Sequence, residues 1–218
     1  MRMSPLLFLA VSAALATAGL SPLSTLAQDL PAAHAHILHV QEAFSGTPDG
    51  EGLLAVAIAD AETAAQHAQL SAGGDPTDID PMIRHARHVL HAVDPTQFPN
   101  GPGSGFGLKA AADAIVRHIE MAAATPDASD NVRTHAAHVA AAARAIAARA
   151  ERITAKVGEI VGAGVYNRAY PLTGELAELT EALAGGEDLS GDGTISLDEG
   201  GLNQVEQHLN LMAEGEGL

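Results

Sequence analysis

Histidine pairs recur along this chain in the pattern His-x-x-His-Val. The three copies occupy residues 36–40, 85–89 and 135–139, so they start 49 and 50 residues apart. Residues i and i+3 of a helix are neighbours on its surface, with Cβ atoms about 5–6 Å apart. Two imidazoles placed in this way can ligate one metal ion. The pattern therefore predicts pairs of nitrogen donors on helices.

Single histidines lie between the pairs. His67 follows His36 by 31 residues, and His118 follows His85 by 33. This spacing indicates two and a half copies of a helix-loop-helix unit of about 50 residues. We expect each pair to meet the single histidine of its own hairpin, across the two helices. The expected groups are His36 with His39 and His67, and His85 with His88 and His118.

Three interpretations of these histidines remain open from the sequence. Three neutral imidazoles suit Zn²⁺ or copper. Imidazoles on two facing helices can instead bind haem b axially. Duplicated histidines can also be solvated polar edges of helices that bind nothing. The third pair, His135 and His138, would join either group or a neighbouring helix.

A second set of candidate ligands lies in residues 188–199. Oxygen-bearing residues stand at positions 1, 3, 5, 7, 9 and 12 of this stretch: Asp188, Ser190, Asp192, Thr194, Ser196 and Glu199. Gly193 is at position 6, where a sharp turn favours a residue without Cβ. Over these twelve residues the chain resembles the calcium-binding loop of the EF-hand family.

The resemblance implies a role in binding Ca²⁺ for each of the six residues. Positions 1, 3 and 5 would supply side-chain oxygens, and Thr194 its backbone carbonyl. Ser196 would bind directly or through water, and Glu199 would close the site with both carboxylate oxygens. The sequence departs from the family in having glycine pairs at 185–186 and 200–201 and no second loop. These departures predict weak to moderate affinity.

Helical periodicity predicts the elements that position these residues. Helices are expected near residues 33–43, 53–72, 79–92, 106–124, 130–161, 172–184 and 202–213. Large apolar residues at 132, 139, 146, 153 and 160 form a seam on the fifth helix, with smaller ones at 136, 143, 150 and 157. The predicted fold is all-α, a helical bundle of repeated helix hairpins with a C-terminal EF-hand module.

The chain is expected to have three parts. Residues 1–27 have the positive start, the short apolar core and the small residues of a signal peptide that is cleaved after Ala27. Residues 28–170 would form the histidine-rich bundle, and residues 171–218 the acidic EF-hand module. The protein would then be periplasmic or secreted. Because the apolar core of the signal is too short for a span, no stable membrane insertion is expected after cleavage.

Composition restricts the classes of function. The formal charge of −16 opposes binding to nucleic acid, and the absence of Trp argues against a base-stacking surface. The chain has no cysteine and no catalytic motif, so we do not expect an enzyme. Metal ions are the indicated partners, and no protein partner is identified. The sequence favours an exported calcium-binding protein with a second, histidine-based metal site. The alternative is a periplasmic copper, zinc or haem protein in which the calcium loop is only structural.

Overall fold

The structure is a computed structural model that describes residues 30–75 and 77–218. These residues form seven α-helices: α1 (Ala32–Gln41), α2 (Leu53–Ala72), α3 (Ile79–Val93), α4 (Leu108–Ala124), α5 (Asp130–Gly162), α6 (Tyr166–Gly185) and α7 (Leu202–Glu216). The described ranges contain no β-strand, so the all-α prediction is confirmed for them. The predicted signal peptide, residues 1–27, lies outside the described residues. The hairpin repeat and the EF-hand module stay predictions.

Six helices begin and end within a few residues of the predicted positions, and α6 is the exception. It begins at Tyr166, although the sequence predicts a start near residue 172. Pro171 lies inside this helix and cannot donate a hydrogen bond to the carbonyl of Asn167. Asn167 is exposed, so water can satisfy that carbonyl, and the helix continues through the proline.

Helix α5 is the centre of the bundle. It packs against α3, α4, α6 and α7. The predicted seam is buried, and Val132, Ile146 and Ile160 are each fully inaccessible. The helix starts at Ser129, whose side chain accepts a hydrogen bond from the backbone N–H of Val132. This cap and the alanine-rich sequence explain an uninterrupted helix of 33 residues.

The lengths of the connections determine which helices are neighbours. The short connections 73–78 and 125–129 join α2 to α3 and α4 to α5, and these pairs pack side by side. The longer connections 42–52 and 94–107 join α1 to α2 and α3 to α4, and they are long enough for these helices to lie apart. As a result α1 packs mainly on α4, and α3 makes little contact with α4.

The connection 94–107 is held in place by a buried carboxylate on α2. Asp60 is fully buried and accepts hydrogen bonds from the backbone N–H and the hydroxyl of Ser104, at 2.7 and 2.6 Å. It also accepts one from the N–H of Gly107 at 3.1 Å. A Cβ on Gly103, whose φ is +125°, would lie 2.9 Å from this carboxylate. The glycines of this connection therefore permit its close approach to α2.

Residues Pro31–Leu218 form one compact unit. The predicted boundary at residue 170 lies inside α6, which packs on α2 and α5, while α7 packs mainly on α5. The division into a bundle of residues 28–170 and a module of residues 171–218 stays a prediction about independent folding. Among the described helices, none combines the length and the apolar character that a membrane span requires.

Candidate metal centres

Nine of the histidines come together in three groups of three. Within the described residues these groups are the first triad (His36, His39 and His118), the second triad (His67, His85 and His88) and the third triad (His135, His138 and His208). In each triad the ligand nitrogens all lie within 4.8 Å of one another. Every triad contains one His-x-x-His pair and one single histidine from another helix.

Each of the nine histidines stands directly before a buried apolar residue. The residues that follow them are at most 2% exposed: Ile37, Val40, Ala68, Ala86, Val89, Ile119, Ala136, Val139 and Leu209. Successive residues of a helix point about 100° apart. A histidine in this position therefore lies at the border of the core, where a neighbouring helix packs against its own.

The first triad joins α1 to α4. The Nδ1 atom of His118 lies 3.1 Å from Nδ1 of His36 and 3.3 Å from Nδ1 of His39. The ring of Phe44 packs against two of these imidazoles, with centroids 5.5 Å from His39 and 5.0 Å from His118. The aromatic ring covers one side of the group, and the three imidazoles are half-buried.

The second triad joins α2 to α3. Nδ1 of His67 lies 3.0 Å from Nδ1 of His85, and the ring of His88 stands 4.7 Å from that of His67 in an edge-to-face arrangement. Nδ1 of His88 is buried and has no hydrogen-bond partner among the described residues. A buried nitrogen without a partner is costly, and a bound cation would satisfy it.

The third triad joins α5 to α7. Nδ1 of His208 lies 3.1 Å from Nδ1 of His135 and 3.4 Å from Nδ1 of His138. The ring centroid of His208 is 4.5 Å from that of His138. The nitrogen separations in this triad closely match those in the first triad, and in both triads the two helices lie far apart in the sequence.

The predicted groupings within each hairpin are wrong. His67 does not join His36 and His39 but meets the pair on α3, and His118 meets the pair on α1. The physical reason is the packing order, because α1 lies on α4 and α2 lies on α3. The predicted hairpins α1–α2 and α3–α4 therefore each supply their single histidine to the pair of the other. The long connection 42–52 and the short connection 73–78 were the signals in the sequence for this arrangement.

His208 was not among the predicted ligands. It lies outside the histidine repeat and has no partner histidine three residues away. A signal was nevertheless present, because His208 precedes Leu209 in the apolar stripe of α7, as the other eight precede core residues. The prediction that His135 and His138 would join a group or a neighbouring helix is met by α7.

The nitrogen separations match those of a tetrahedral metal site. With metal–nitrogen bonds of about 2.0–2.1 Å, two ligands of a tetrahedron lie about 3.3–3.4 Å apart. The shortest Nδ1–Nδ1 separations in the three triads are 3.0, 3.1 and 3.1 Å, and the others given above reach 3.4 Å. The remaining nitrogens of each triad lie within 4.8 Å of these, so movement of the rings toward a common point would bring all three to bonding distance from one ion.

Burial favours the neutral form of six of these imidazoles, which is the form that ligates metal. Desolvation lowers the pKa of each of them: His36, His67, His85, His88, His118 and His208. Repulsion between like charges lowers the pKa further, from Arg84 at His85 and from His39, His36 and Arg117 at His118. A bound metal needs the free nitrogen lone pair, so these shifts extend metal binding to lower pH.

The two remaining histidines have structural partners. His34 lies 3.1 Å from the carboxylate of Glu216, which also accepts hydrogen bonds from Ser129 and Asn131. These contacts hold the end of α7 against α1 and the start of α5. His91 is buried, and its Nδ1 lies 2.7 Å from the carbonyl oxygen of Phe98.

The acidic loop 188–199 is closed by its first and last residues. The carboxylate of Asp188 accepts backbone N–H bonds, among them one of 2.8 Å from Gly193, whose φ is +85°. Glu199 uses both oxygens, at 2.7 Å from the N–H of Ser190 and 3.1 Å from that of Ser196. The Ser196 hydroxyl, its N–H and the Ser190 N–H together lower the pKa of Glu199 to about 2.

The other predicted calcium ligands lie on the exposed part of this loop. Asp192 accepts hydrogen bonds from the backbone N–H and the hydroxyl of Thr194, at 2.9 and 2.6 Å. Within the described residues the acidic side chains of the loop do not form a group of three within 4.8 Å, in contrast to the histidines. The oxygens are near one another, but they are occupied by hydrogen bonds within the loop.

The end of the loop is attached to α5 by a buried arginine. The Arg149 side chain is 2% exposed, and it donates hydrogen bonds to the carbonyls of Glu199 and Gly200, at 3.2 and 3.4 Å. Its Nε lies 3.6 Å from the carboxylate of Glu187, just before the loop. Both ends of the loop are therefore fixed to the central helix.

Comparison of the chain with protein-family models, with curated proteins and with solved structures gives no match.

Proposed function

We propose that this protein binds transition-metal ions, one at each of the three histidine triads. The observation that carries the proposal is the convergence of three groups of three imidazoles on three different pairs of helices. Histidines that served only as solvated helix edges would have no reason to meet in threes with their nitrogens within 4.8 Å of one another. The unpartnered buried nitrogen of His88 supports the same conclusion.

Zinc is the first candidate metal and copper the second. The donors are neutral imidazoles with neither sulfur nor carboxylate among them, which suits Zn²⁺ and Cu²⁺ and disfavours Ca²⁺ or Mg²⁺. Right-angled ligands at about 2.0–2.1 Å would lie about 2.8–3.0 Å apart, compared with about 3.3–3.4 Å for a tetrahedron. The separations of 3.3 and 3.4 Å at His39 and His138 match the tetrahedral ion, and the shorter ones of 3.0 and 3.1 Å lie nearer the right-angled value, so the geometry accommodates both metals.

Haem b fits this geometry poorly. Two axial imidazoles must approach the iron from opposite faces of the porphyrin ring. In each triad one nitrogen of every ring instead lies within 4.8 Å of a nitrogen of the other two rings, which is too close for a flat macrocycle to lie between them. A single ion fits where a porphyrin does not.

Metal storage, buffering or delivery is the role that this arrangement supports. All nine imidazoles are half-buried, so an ion can enter from solvent without unfolding the bundle. Three protein ligands leave one position of a tetrahedral ion open, which allows exchange with other carriers. The predicted signal peptide would place this activity in the periplasm or outside the cell. The sequence contains no catalytic motif that would argue for an enzyme.

Equilibrium dialysis against zinc and copper, followed by elemental analysis, tests the proposal. We expect one equivalent for each triad in the wild-type protein, and one fewer in each of His67→Ala, His118→Ala and His208→Ala. Loss of one ligand should weaken its site by about 100-fold or more, since even outer-shell changes cost 10–100-fold. His34→Ala is the matched control, because His34 contacts Glu216 and belongs to no triad. Unchanged stoichiometry in all three variants would refute the proposal.

We also propose Ca²⁺ binding at residues 188–199 as a second function. Its support is the resemblance to the EF-hand loop together with the position of Glu199, whose two oxygens span Ser190 and Ser196. A carboxylate held in this orientation can turn both oxygens to one cation. Calcium must displace the internal hydrogen bonds of the loop, so the affinity should be low.

A further inference from the structure

The second triad differs from the other two in the surface beside it. His88 lines an open pocket of about 390 Å³, together with Asp80, Arg84, Arg87, Phe98 and Asn100. This volume lies in the range of small-ligand sites, roughly 300–1,000 Å³. A molecule in the pocket would therefore touch an imidazole of the proposed metal centre.

Two guanidinium groups give this pocket its character. Arg84 and Arg87 are exposed neighbours on α3, and within residues 30–75 and 77–218 no carboxylate lies within 4.0 Å of either. Arg87 is held over the ring of Phe98, with Cζ 5.9 Å from the ring centroid. Guanidinium groups bind carboxylate, phosphate and sulfate oxygens through paired N–H donors. The amide of Asn100 adds a neutral polar group.

The charge of the pocket depends on the metal. Without metal, the two arginines face the single carboxylate of Asp80, which leaves one net positive charge. A divalent ion at the second triad would add two further positive charges beside His88. An anion should therefore bind weakly to the metal-free protein and more tightly to the loaded one.

From this geometry we propose that the pocket beside the second triad binds a small oxyanion, and that the anion and the metal strengthen each other's binding. The proposal rests on metal binding at the second triad. Because coupling is reciprocal, the factor by which zinc raises anion affinity is the factor by which the anion raises zinc affinity. The first triad has Phe44 beside it and one nearby guanidinium, that of Arg117, so it is expected to show a weaker coupling.

A full-length variant that keeps only the second triad isolates the effect. His118→Ala with His208→Ala removes one ligand from each of the other triads. The zinc dissociation constant is then measured with free zinc fixed by a chelating buffer, in sulfate and in chloride of equal ionic strength. We expect sulfate to tighten zinc binding about fivefold or more, which is the lower end of the usual range of coupling between sites.

Replacement of the two arginines decides the assignment. In the background that keeps only the second triad, Arg84→Gln with Arg87→Gln should remove the sulfate effect. Zinc affinity in chloride should stay the same or rise, because two positive charges near the cation are gone. Arg133→Gln is the matched control, as Arg133 is an exposed arginine of α5 paired with Asp130. It should keep the full effect.

The outcomes separate the two proposals. Zinc binding without a sulfate effect, or an effect that survives loss of both arginines, overturns the oxyanion site and leaves the metal site standing. An equal sulfate effect in His67→Ala with His208→Ala, which keeps only the first triad, also overturns it. Absence of zinc binding in the background that keeps only the second triad overturns both.

Discussion

Helices α1–α4 and helices α5–α7 build the same kind of triad in different ways. In α1–α4, each of the two predicted hairpin units, α1–α2 and α3–α4, supplies its single histidine to the His-x-x-His pair of the other unit. In α5–α7, the third His-x-x-His pair meets a histidine that lies outside the repeat, on the helix that follows the acidic loop. The first arrangement uses only histidines of the repeated sequence pattern, and the second needs one from outside it.

All three triads contain a His-x-x-His pair on one helix, and the third histidine comes from the helix that packs beside it. Helix α4 supplies this histidine to the pair on α1, helix α2 to the pair on α3, and helix α7 to the pair on α5. In α5–α7, the third triad links the acidic segment to α5, because α7 starts just after the loop that Arg149 holds to α5.

The exchange of histidines between hairpins has the largest measurable consequence. His36→Ala with His118→Ala should abolish one zinc site, because both residues belong to the first triad. His36→Ala with His67→Ala should abolish two, because these residues belong to different triads. Grouping within hairpins predicts the reverse order. Zinc stoichiometry by dialysis distinguishes the two arrangements, with His34→Ala as the control.

Zinc should stabilise the two regions separately. At a free zinc concentration 100 times the dissociation constant, each occupied site adds about 2.7 kcal/mol to the free energy of unfolding. In His208→Ala we expect loss of zinc-dependent hydrogen-exchange protection in α7, with protection of α1 retained. In His118→Ala we expect loss of zinc-dependent protection in α1, with protection of α7 retained. Equal loss of protection in both regions in either variant would contradict independent sites.

Acid should weaken α1–α4 more than α5–α7. Five of the six histidines with a pKa lowered by burial lie on α1–α4: His36, His67, His85, His88 and His118. Because the unfolded chain takes up protons first, near pH 6.5, the free energy of unfolding should fall as the pH drops from 6.5 towards the lower folded pKa values. Above pH 6.5 it should be constant with respect to these groups.

Denaturant titrations of the metal-free protein at pH 7.5 and 5.5 measure this loss. Hydrogen exchange at the same two pH values then locates it. His67→Gln should reduce the pH dependence, whereas His34→Gln reports on the contact with Glu216 and should leave the α2–α3 region unchanged. A loss confined to α7 would contradict the prediction.

The acidic loop is expected to give the smallest effect. Calcium should bind with a dissociation constant of about 10⁻⁴–10⁻³ M, as in extracellular modules. Glu199→Gln should weaken binding about tenfold or more, because it removes a charge and the bidentate carboxylate. With its pKa lowered to about 2, Glu199 stays ionised at pH 5, where we expect the histidine sites to lose zinc.

Calorimetry at pH 7 and pH 5 compares the two kinds of site directly. Zinc heats should disappear with acid, and calcium heats should persist. Asp198→Asn is the matched control for Glu199→Gln, since Asp198 stands at a position to which the EF-hand resemblance gives no ligand role. No calcium heat at millimolar ion in the wild-type protein would remove the second proposed function.

The elements of the fold were largely predictable, because helix formation depends on nearby residues. The spacing of apolar residues located α2 and α5 almost to the residue. The start of α6 was placed near residue 172, too late in the chain, because the helix continues through Pro171, where an exposed turn accommodates the proline. Eight of the nine triad histidines were identified, because the i, i+3 relation within a helix is local.

By itself, the sequence determined the three His-x-x-His pairs, since the backbone geometry of a helix places His85 beside His88 whatever surrounds it. Only the tertiary structure decided which single histidine completes each pair. That choice depends on which helices pack together, and hence on connection length and on apolar burial over the whole bundle. His208 joined His135 across 73 residues of chain because α7 buries Leu209 against the core, and no local pattern contains that distance.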